Sequence, residues 1–472
     1  MRFRPLLLLP LLALAGCAVG PDYQRPASAM ASHDWIEPAS TAPVDAKWWE
    51  QFGDPTLTGL IERALAASPD LKQATARIAE ARALREAAQG GLGPQVNASG
   101  GATLNKASEN GQIPIGNIPG FDPTYPLIDA GFDASWEIDL WGKASRTIEQ
   151  ARGQEGAAEW ARRDAVVSLT AEIARTYIEF RRAQEDLASA TAEQEASASI
   201  AELASLRLDH GEGSRLEADQ AVADLEARKA LLAQARSDVS GSAYRLAALV
   251  GSPPEDLVPS LLASSAMVPL PPAAIASGIR SDLLERRPDI RIAEQDLAAA
   301  TAGIGVAKAD LYPRISLLGT IGVQAQHADD LTDSGSIRYS VGPSFHWPIF
   351  AMGRVRAQIR AAGARADQQA AAYEGALVKA LSETEGAANR YAASVAAAPN
   401  VHASLARERE AYALAHMLFD RGETSRIQLD QARLRLAGAE RKEAEARAVR
   451  ASSAIALYKA LGGGWQGAGA AD

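Results

Sequence analysis

The hydrophobic positions of this chain follow two periods, one typical of helices and one typical of strands. In the middle of the chain, apolar residues recur in alternating steps of three and four, at Ile290, Ala293, Leu297, Ala300, Ile304, Ala307 and Leu311. This spacing predicts a helix that packs against other helices as in a coiled coil. A looser version of the same pattern predicts an earlier helix over residues 56–92, with a break near Ser68 and Pro69.

Four other segments, residues 96–105, 128–140, 314–324 and 337–347, alternate apolar and polar side chains. Strands of about ten residues with strictly separated faces are typical of transmembrane β-structure. A water-soluble sheet with one buried face would give the same alternation. Aromatic residues on or beside the apolar positions favour the membrane, namely Trp136, Trp141, Tyr339 and Trp347. Pro343 predicts a bulge or an edge strand, because proline cannot donate to the sheet.

The chain contains an internal repeat. Pro69 and Pro288 are 288 − 69 = 219 residues apart, and Gly100 and Gly319 have the same separation. Beyond the loops that separate the paired strands, the offset falls to 422 − 211 = 211 residues, as between Gly211 and Gly422. We therefore predict two intertwined copies of one design, residues 56–252 and 277–465, joined by a linker at 253–276.

Residues 142–251 contain no proline, and Val166, Ile173, Phe180 and Leu187 follow one another at intervals of seven. About 65 helical residues would span on the order of 100 Å. Gly211 and Ser214 predict a turn between two antiparallel helices, because glycine ends helices and serine begins them. Gly422 and Ser425 predict the equivalent turn in the second copy, where Pro399 is expected to kink the long helix.

Four strands are too few to close a barrel, for which about eight are needed. Open sheet edges are not tolerated in lipid. The chain is therefore expected to oligomerise. Two copies would give eight strands and a filled interior, and three copies would give twelve strands and room for a pore.

The first residues resemble a secretory signal. Basic residues precede the apolar stretch 6–14, which ends in Leu14-Ala15-Gly16-Cys17. This run resembles a lipobox, so residues 1–16 are interpreted as a lipoprotein signal peptide and Cys17 as the lipidated N-terminus. Residues 17–55 then form an extended arm and 466–472 a C-terminal tail. After the signal, no apolar run reaches the roughly 18 residues of a transmembrane helix.

Composition excludes several classes of function. The net charge of −10 argues against nucleic-acid binding, which requires a basic face. His33, His210, His327, His346, His402 and His416 are scattered without metal-ligand spacing, and no hydrolase motif occurs. Gly303 and Gly305 indicate close helix packing rather than a phosphate loop. We expect no enzyme activity, no cofactor and no metal.

Several motifs are together similar to one known family. They are the segments 17–26 (CAVGPDYQRP), 48–57 (WWEQFGDPTL), 135–143 (SWEIDLWGK), 281–291 (SDLLERRPDIR) and 457–465 (LYKALGGGW). With them, nearly the whole chain resembles the outer-membrane factors of tripartite efflux systems, the TolC/OprM/NodT group, in its lipoprotein branch.

The resemblance implies a homotrimer in the outer membrane of a Gram-negative bacterium. Its twelve-stranded transmembrane β-barrel, four strands per chain, would continue as an α-helical coiled-coil barrel into the periplasm. It would passively conduct exported small molecules. The implied partners are outer-membrane lipid, a periplasmic membrane-fusion adaptor and an inner-membrane transporter of RND, MFS or ABC type. The adaptor would contact the two turns, at Leu208, Gly211, Ser214, Leu216, Phe419, Gly422, Ser425 and Ile427.

Members of this family often carry a gate carboxylate nine residues after the glycine of the turn, where this chain has Gln220 and Gln431. Asp219 and Asp430 precede them by one residue, which rotates a helical side chain by about 100°. We retain all four as possible gate residues, and a solvated helix face is the alternative for Asp430.

The polar strand face carries more acids than bases, and we hypothesise a lumen that prefers cations. The lumen residues are Asp129, Asp133, Glu137, Asp139, Arg314 and Arg338. We expect Arg286, Arg287 and Asp289 to support assembly rather than to touch a substrate. Two functions remain as alternatives to efflux: a duct for type I protein secretion, and a structural coiled-coil lipoprotein without a channel.

Overall fold

The computed structural model describes residues 18–26, 35–36, 42, 44–108, 123–276, 278 and 280–466. In this part of the chain, helices and strands alternate twice in the same order. The bounds are α1 Pro55–Ala67, α2 Pro69–Gly90, β1 Gln95–Lys106, β2 Thr124–Ile138, α3 Lys143–Asp209, α4 Arg215–Val250, α5 Pro254–Ala263, α6 Asp282–Arg286, α7 Pro288–Ala309, β3 Arg314–Ala325, β4 Ile337–His346, α8 Arg354–Asp420 and α9 Arg426–Ala460. None of the described helices is both long and apolar enough to cross a membrane.

The repeat seen in the sequence is present in the structure. Helices α2 and α7 each have 22 residues, and strands β1 and β3 each have 12, with first residues 219 positions apart. Helices α3 and α8 each have 67 residues, offset by 354 − 143 = 211. A hydrogen bond is repeated as well: the indole N–H of Trp136 donates to the carbonyl of Leu92 (2.8 Å), and that of Trp347 donates to Leu311 (3.0 Å).

The predicted break in the first helix is confirmed. Helix α1 ends at Ala67 and α2 begins at Pro69, because proline fits the first turn of a helix but not its interior. Asp54 caps α1 by accepting hydrogen bonds from the amides of Thr56 and Leu57. Helix α8 continues through Pro399 without interruption. Helix α5 lies inside the segment interpreted as a linker and buries Leu257, Val258 and Leu261.

The four strands form one antiparallel sheet in the order β1-β2-β3-β4. Each pair keeps a constant register: partner numbers sum to 230 for β1 and β2 (Gln95↔Ser135), to 453 for β2 and β3 (Ile128↔Ala325), and to 660 for β3 and β4 (Arg314↔His346). The constant sums mean that the bulge considered for Pro343 is wrong. The edge position is correct, since Pro343 lies opposite Leu317 in the terminal strand β4.

Strands β2 and β3 approach each other closely at two glycines. A Cβ atom on Gly131 would lie 2.7 Å from the carbonyl oxygen of Ile321 and 2.9 Å from the Cα of Gly322. A Cβ on Gly322 would lie 2.5 Å from the carbonyl oxygen of Ala130. Only glycine therefore fits at either position without a shift of the backbone.

The residues form two compact units, each of which contains segments of both repeats. The first comprises Met1–Pro26, Ile78–Ala158 and Ala293–Tyr373 and includes the sheet. The second comprises Ala27–Arg77, Glu159–Ile292 and Glu374–Asp472. In the second unit, Trp48 and Trp49 are buried, and the ring of Trp48 stacks on Tyr458 with centroids 5.0 Å apart.

Arg287 is a buried clamp in the second unit. Its guanidinium donates to both carboxylate oxygens of Asp289 (2.9 and 2.6 Å), to Glu383 (2.7 Å) and to the backbone carbonyl of Ala460 (3.1 Å). One side chain thus ties the start of α7 to α8 and to the end of α9. The position 219 residues earlier is Ser68, so this clamp belongs to the second repeat alone.

Removing the clamp by Arg287→Ala is predicted to lower the free energy of unfolding by about 3 kcal/mol, the low end for breaking a buried ion pair, because both carboxylates keep some contact with water. Urea denaturation of the purified protein, followed by circular dichroism, measures the change. Arg407→Ala is the control, since that side chain is 82% exposed in its pair with Glu410 and should change little. Equal stability of the two variants would contradict the structural role of Arg287.

Candidate functional site

The register of the sheet places the predicted polar residues on one face. Asp133 lies opposite Asn97 in β1 and Thr320 in β3, and Asp129 lies opposite Gln324. Ser99 donates a hydrogen bond to Asp133 (3.1 Å). Glu137 shares this face because side chains two positions apart point the same way. The face therefore carries three carboxylates on a single strand.

Three other residues assigned to the lumen need comment. Asp139 lies beyond Ile138, the last residue of β2, and its carboxylate accepts hydrogen bonds from the amides of Ala144 (3.0 Å) and Ser145 (2.8 Å). Its assignment to the strand face is therefore wrong, because the first turn of α3 uses it as a cap. Arg314 is on the polar face and donates to Asp310 (2.7 Å). Arg338 is also on this face, opposite Gly322.

The opposite face of the sheet is apolar and exposed. Across β2, β3 and β4, Phe132 pairs with Ile321 and Ile321 with Tyr339, all on this face. A single soluble chain rarely exposes so many large apolar side chains side by side. The exposed members are Val96, Leu104, Phe132, Trp136, Ile138, Leu317, Ile321, Ile337, Tyr339, Val341 and Phe345. The face fits a lipid environment.

The two predicted turns between long helices are built alike. Gly211 and Gly422 adopt φ of 73° and 75°, in the left-handed region that glycine enters without strain. Ser214 and Ser425 begin α4 and α9 with capping boxes that are completed by Glu217 and Gln428.

Around these turns, several apolar side chains contact water. Leu216 is 67% exposed, Leu414 53% and Leu206 46%. Leu208, Phe419 and Ile427 are partly exposed. The turns therefore present apolar groups on polar, well-capped helix ends.

The four possible gate residues are in different environments. Gln220, Gln431 and Asp219 are exposed, and Asp219 forms an ion pair with Arg215 (3.4 Å). Asp430 is only 1% exposed, and it accepts hydrogen bonds from Ser199 (2.6 Å) and Arg426 (2.9 Å). The burial of Asp430 does not fit the solvated helix face considered for it, because its carboxylate binds α9 to α3. Its role as a gate residue stays a prediction.

Glu193 forms a second charged link that the sequence did not suggest. Its carboxylate is 2% exposed and pairs with Arg228 of α4 and Arg441 of α9. The equivalents of these three residues in the repeat are Ser404, Ala439 and Ala230. The sequence held one signal of this link, because Glu193 of α3 is charged and its equivalent Ser404 of α8 is not.

The residues that follow Cys17 are held in the first unit, although Cys17 itself lies outside the described residues. The amide of Val19 donates to the carbonyl of Trp141 (3.1 Å). Asp22 pairs with the buried Arg146 (2.6 Å), and Arg25 pairs with Glu294 (2.8 Å). Burial and the charge of Glu294 raise the pKa of Tyr23 to about 12. The arm is therefore fixed close to the end of β2.

Several titratable groups among the described residues are buried and have raised pKa values. Among the described residues, no three of His, Cys, Asp or Glu are placed to hold a metal ion. Burial, helped by nearby Asp289, raises the pKa of Asp164, which lines a cavity of about 310 Å³ with Arg390 and Lys459. Burial also raises the pKa of Tyr177, whose hydroxyl donates to Asp54 (2.6 Å). The hydrogen bond from Tyr177 joins α3 to Asp54, the N-cap of α1.

Known proteins resemble this chain over almost its full length. A family model described as "Outer membrane efflux protein" matches residues 60–252 and 279–463. The probable efflux pump outer membrane protein SepC of Pseudomonas putida is 31% identical over 473 residues, covering 96% of this chain and 95% of that protein. The solvent efflux pump outer membrane protein SrpC of Pseudomonas putida is 32% identical over 484 residues, covering 98% and 99%.

Solved structures agree with these matches. The outer-membrane channel OprN is 33% identical to this chain and superposes with a TM-score of 0.82, over 95% of this chain and 100% of that one. The similarity in structure therefore extends over almost the whole chain.

We predict that Asp430→Ala loosens the contact of α9 with α3 near the turn. Ser199 and Arg426 would lose a charged acceptor worth about 1.5–3 kcal/mol, so local amide exchange should become roughly ten- to a hundredfold faster. Hydrogen–deuterium exchange measured over residues 195–203 and 426–434 tests this. Asp219→Ala, the repeat-equivalent substitution at an exposed carboxylate, is the matched control. Unchanged exchange in Asp430→Ala would show that the link is not stabilising.

Proposed function

The chain belongs to the outer membrane efflux protein family, and from this premise we propose that it forms the outer-membrane channel of a tripartite efflux pump. The channel passively conducts small molecules from an inner-membrane transporter and a periplasmic adaptor to the exterior. One observation carries the proposal: a sheet with one polar and one exposed apolar face, on a chain whose long helices end in capped turns.

The channel is a homotrimer. Lipid requires that the backbone hydrogen bonds of a spanning sheet be satisfied, and four strands cannot do this alone. Three chains supply twelve strands, whose apolar face meets lipid and whose polar face lines the pore. The long helices α3 and α8 extend into the periplasm, and each of their 67 residues adds about 1.5 Å, so each spans on the order of 100 Å.

The site residues that stay predictions fit this function. We propose that Cys17 carries the lipid anchor. Val19 and Asp22, which follow it, contact Trp141 and Arg146 near the end of β2. The adaptor contacts the two turns around Gly211 and Gly422, where exposed leucines offer apolar contacts. Asp129, Asp133 and Glu137 give the pore its preference for cations.

Deleting the gene from its host is predicted to make cells several-fold more sensitive to an organic solvent or a detergent, because the pump loses its exit. Sensitivity is measured as the minimal inhibitory concentration, and a plasmid copy of the gene should restore it. Cys17→Ser should restore it less well if the lipid anchor is needed. An unaltered response of the deletion strain to every compound tested would count against efflux and leave a structural lipoprotein.

In planar bilayers, the purified channel is predicted to prefer cations, because three carboxylates of each chain line the polar face and one of the two arginines there is paired with Asp310. The reversal potential across a potassium chloride gradient measures the preference. The triple variant D129N/D133N/E137Q should move it toward zero, whereas D224N/D238N, at exposed helix positions, should not. Anion preference in the unmodified channel would contradict the lumen assignment.

A further inference from the structure

A cavity of about 310 Å³ lies in the second unit, where α3, the start of α7, α8 and α9 meet. Pockets that bind small molecules measure roughly 300–1,000 Å³, so this volume suits a small ligand. Its wall is made partly of apolar side chains and partly of charged ones. The charged residues are Asp164, Arg287, Asp289, Glu383, Arg390 and Lys459.

Three of these charged residues already satisfy one another. Arg287 donates to Asp289 (2.6 Å) and to Glu383 (2.7 Å). The other carboxylate oxygen of Glu383 lies 3.9 Å from the ammonium of Lys379. On this side of the cavity, each acid therefore has a cation of the same chain as its partner.

The side chains of the other three, Asp164, Arg390 and Lys459, form no hydrogen bond or ion pair with any residue that the structure describes. Arg390 and Lys459 are exposed, whereas Asp164 is half-buried. Burial, followed by the charge of Asp289, raises the pKa of Asp164 by more than the charge of Lys459 lowers it. A carboxylate that is partly removed from water without a partner costs free energy, so its presence here needs a reason.

The backbone does not require these charges. The repeat offset of 211 residues relates α3 to α8 and α4 to α9. The equivalents of Asp164, Arg390 and Lys459 are Gly375, Glu179 and Ala248. The same helices thus form in the other copy with two of the three charges absent and the third reversed.

We propose that this cavity binds a small zwitterion, a molecule with one carboxylate and one ammonium group, such as an amino acid or a short peptide. Arg390 and Lys459 donate to the carboxylate, and Asp164 accepts hydrogen bonds from the ammonium. Each of the three unpartnered charges then gains a group of opposite charge. The inference goes beyond the proposed function, because such a site would exist whether or not the chain conducts solutes.

Ligands of other charge classes would leave part of the site unsatisfied. A simple anion would pair with Arg390 and Lys459, but it would lie near Asp164 without neutralising it. A simple cation would pair with Asp164 and be repelled by the two free basic groups. A neutral ligand would offer no full charge to any of the three. A zwitterion satisfies all of them together.

The apolar part of the wall indicates the size of the ligand's side chains. Ala387 and Ala460 are buried, and Val167 and Ala456 complete this part of the lining. Such short side chains leave room for methyl groups of a ligand and offer them apolar contacts. Alanine peptides are therefore suitable probes.

Binding of alanine, alanyl-alanine and trialanine to the full-length protein in detergent is measured by saturation-transfer difference NMR. At least one member of this series should bind. N-acetylation removes the ammonium of that member and C-terminal amidation removes its carboxylate, so each change should weaken binding about tenfold or more. Absence of binding by the whole series would overturn the proposal, as would equal binding of the acetylated or the amidated form.

Substitutions in the cavity test which groups hold the probe. D164N, R390Q and K459Q should each weaken its binding about tenfold or more, because each removes a charged partner. The matched controls are D224N and K72Q, whose native side chains are exposed and form no ion pair among the described residues. The controls should bind the probe as the unmodified protein does. Equal losses in the controls and in the cavity variants would show nonspecific attraction and contradict the site.

Stability separates a ligand-binding role of Asp164 from a structural one. Without probe, D164N should unfold at the same temperature as the unmodified protein or at a higher one, because burial disfavours the charged carboxylate that the substitution removes. Adding the probe should raise the unfolding temperature of the unmodified protein but not that of D164N. Circular dichroism on heating measures both. A lower unfolding temperature of D164N without probe would indicate a structural carboxylate and overturn the assignment.

The outcome for this cavity is distinguishable from the outcome for the channel. A protein that conducts ions but binds no alanine peptide would overturn the zwitterion site and leave the proposed function in place. A protein that binds the peptide through Asp164 but does not conduct would overturn the proposed function and leave the site.

Discussion

A backbone that lies in lipid must satisfy its N–H and C=O groups within the protein, because the hydrocarbon offers no partners. In the sheet of this chain, three pairs of adjacent strands satisfy these groups. Strands β1 and β4 each have a single neighbour among the described strands. Much of the architecture depends on this requirement. The exposed apolar face and the two open edges of the sheet are both explained once copies of the chain share the sheet.

The two repeats keep one backbone plan and distribute different side chains over it. Arg287 clamps three helices where the first copy has Ser68, and Glu193 holds two arginines where the second copy has Ser404. Breaking such a buried pair leaves a charge without a partner, so these links are costly to lose. The positions at which the two copies differ therefore include buried ion pairs that stabilise the helices of this chain.

Local patterns in the sequence were enough to predict the strands, the repeat, the helix break at Pro69 and the capped turns, because each depends on neighbouring residues. Contacts between distant helices were not predictable in this way. Asp430 and Asp219 occupy equivalent positions beside equivalent arginines, yet only Asp430 meets Ser199 of another helix and is buried. Asp139 continued the strand alternation, but the helix that starts after it uses its carboxylate as a cap. The sequence does not show whether a residue at the border of a strand and a helix will continue the strand or cap the helix.

The equal lengths of α3 and α8 also constrain how this chain can change over time. One residue inserted into a single long helix would move its end by about 1.5 Å and rotate everything beyond by about 100°. The capped turn of that repeat would then no longer match its counterpart. The apolar side chains Val166, Ile173 and Phe180, which follow one another at intervals of seven, would no longer be aligned with the residues they pack against. We therefore expect insertions and deletions to be tolerated between the strands, where the repeat offset changes from 219 to 211, and to be costly in α3 or α8 alone. The lengths of α3 and α8 are therefore expected to change together.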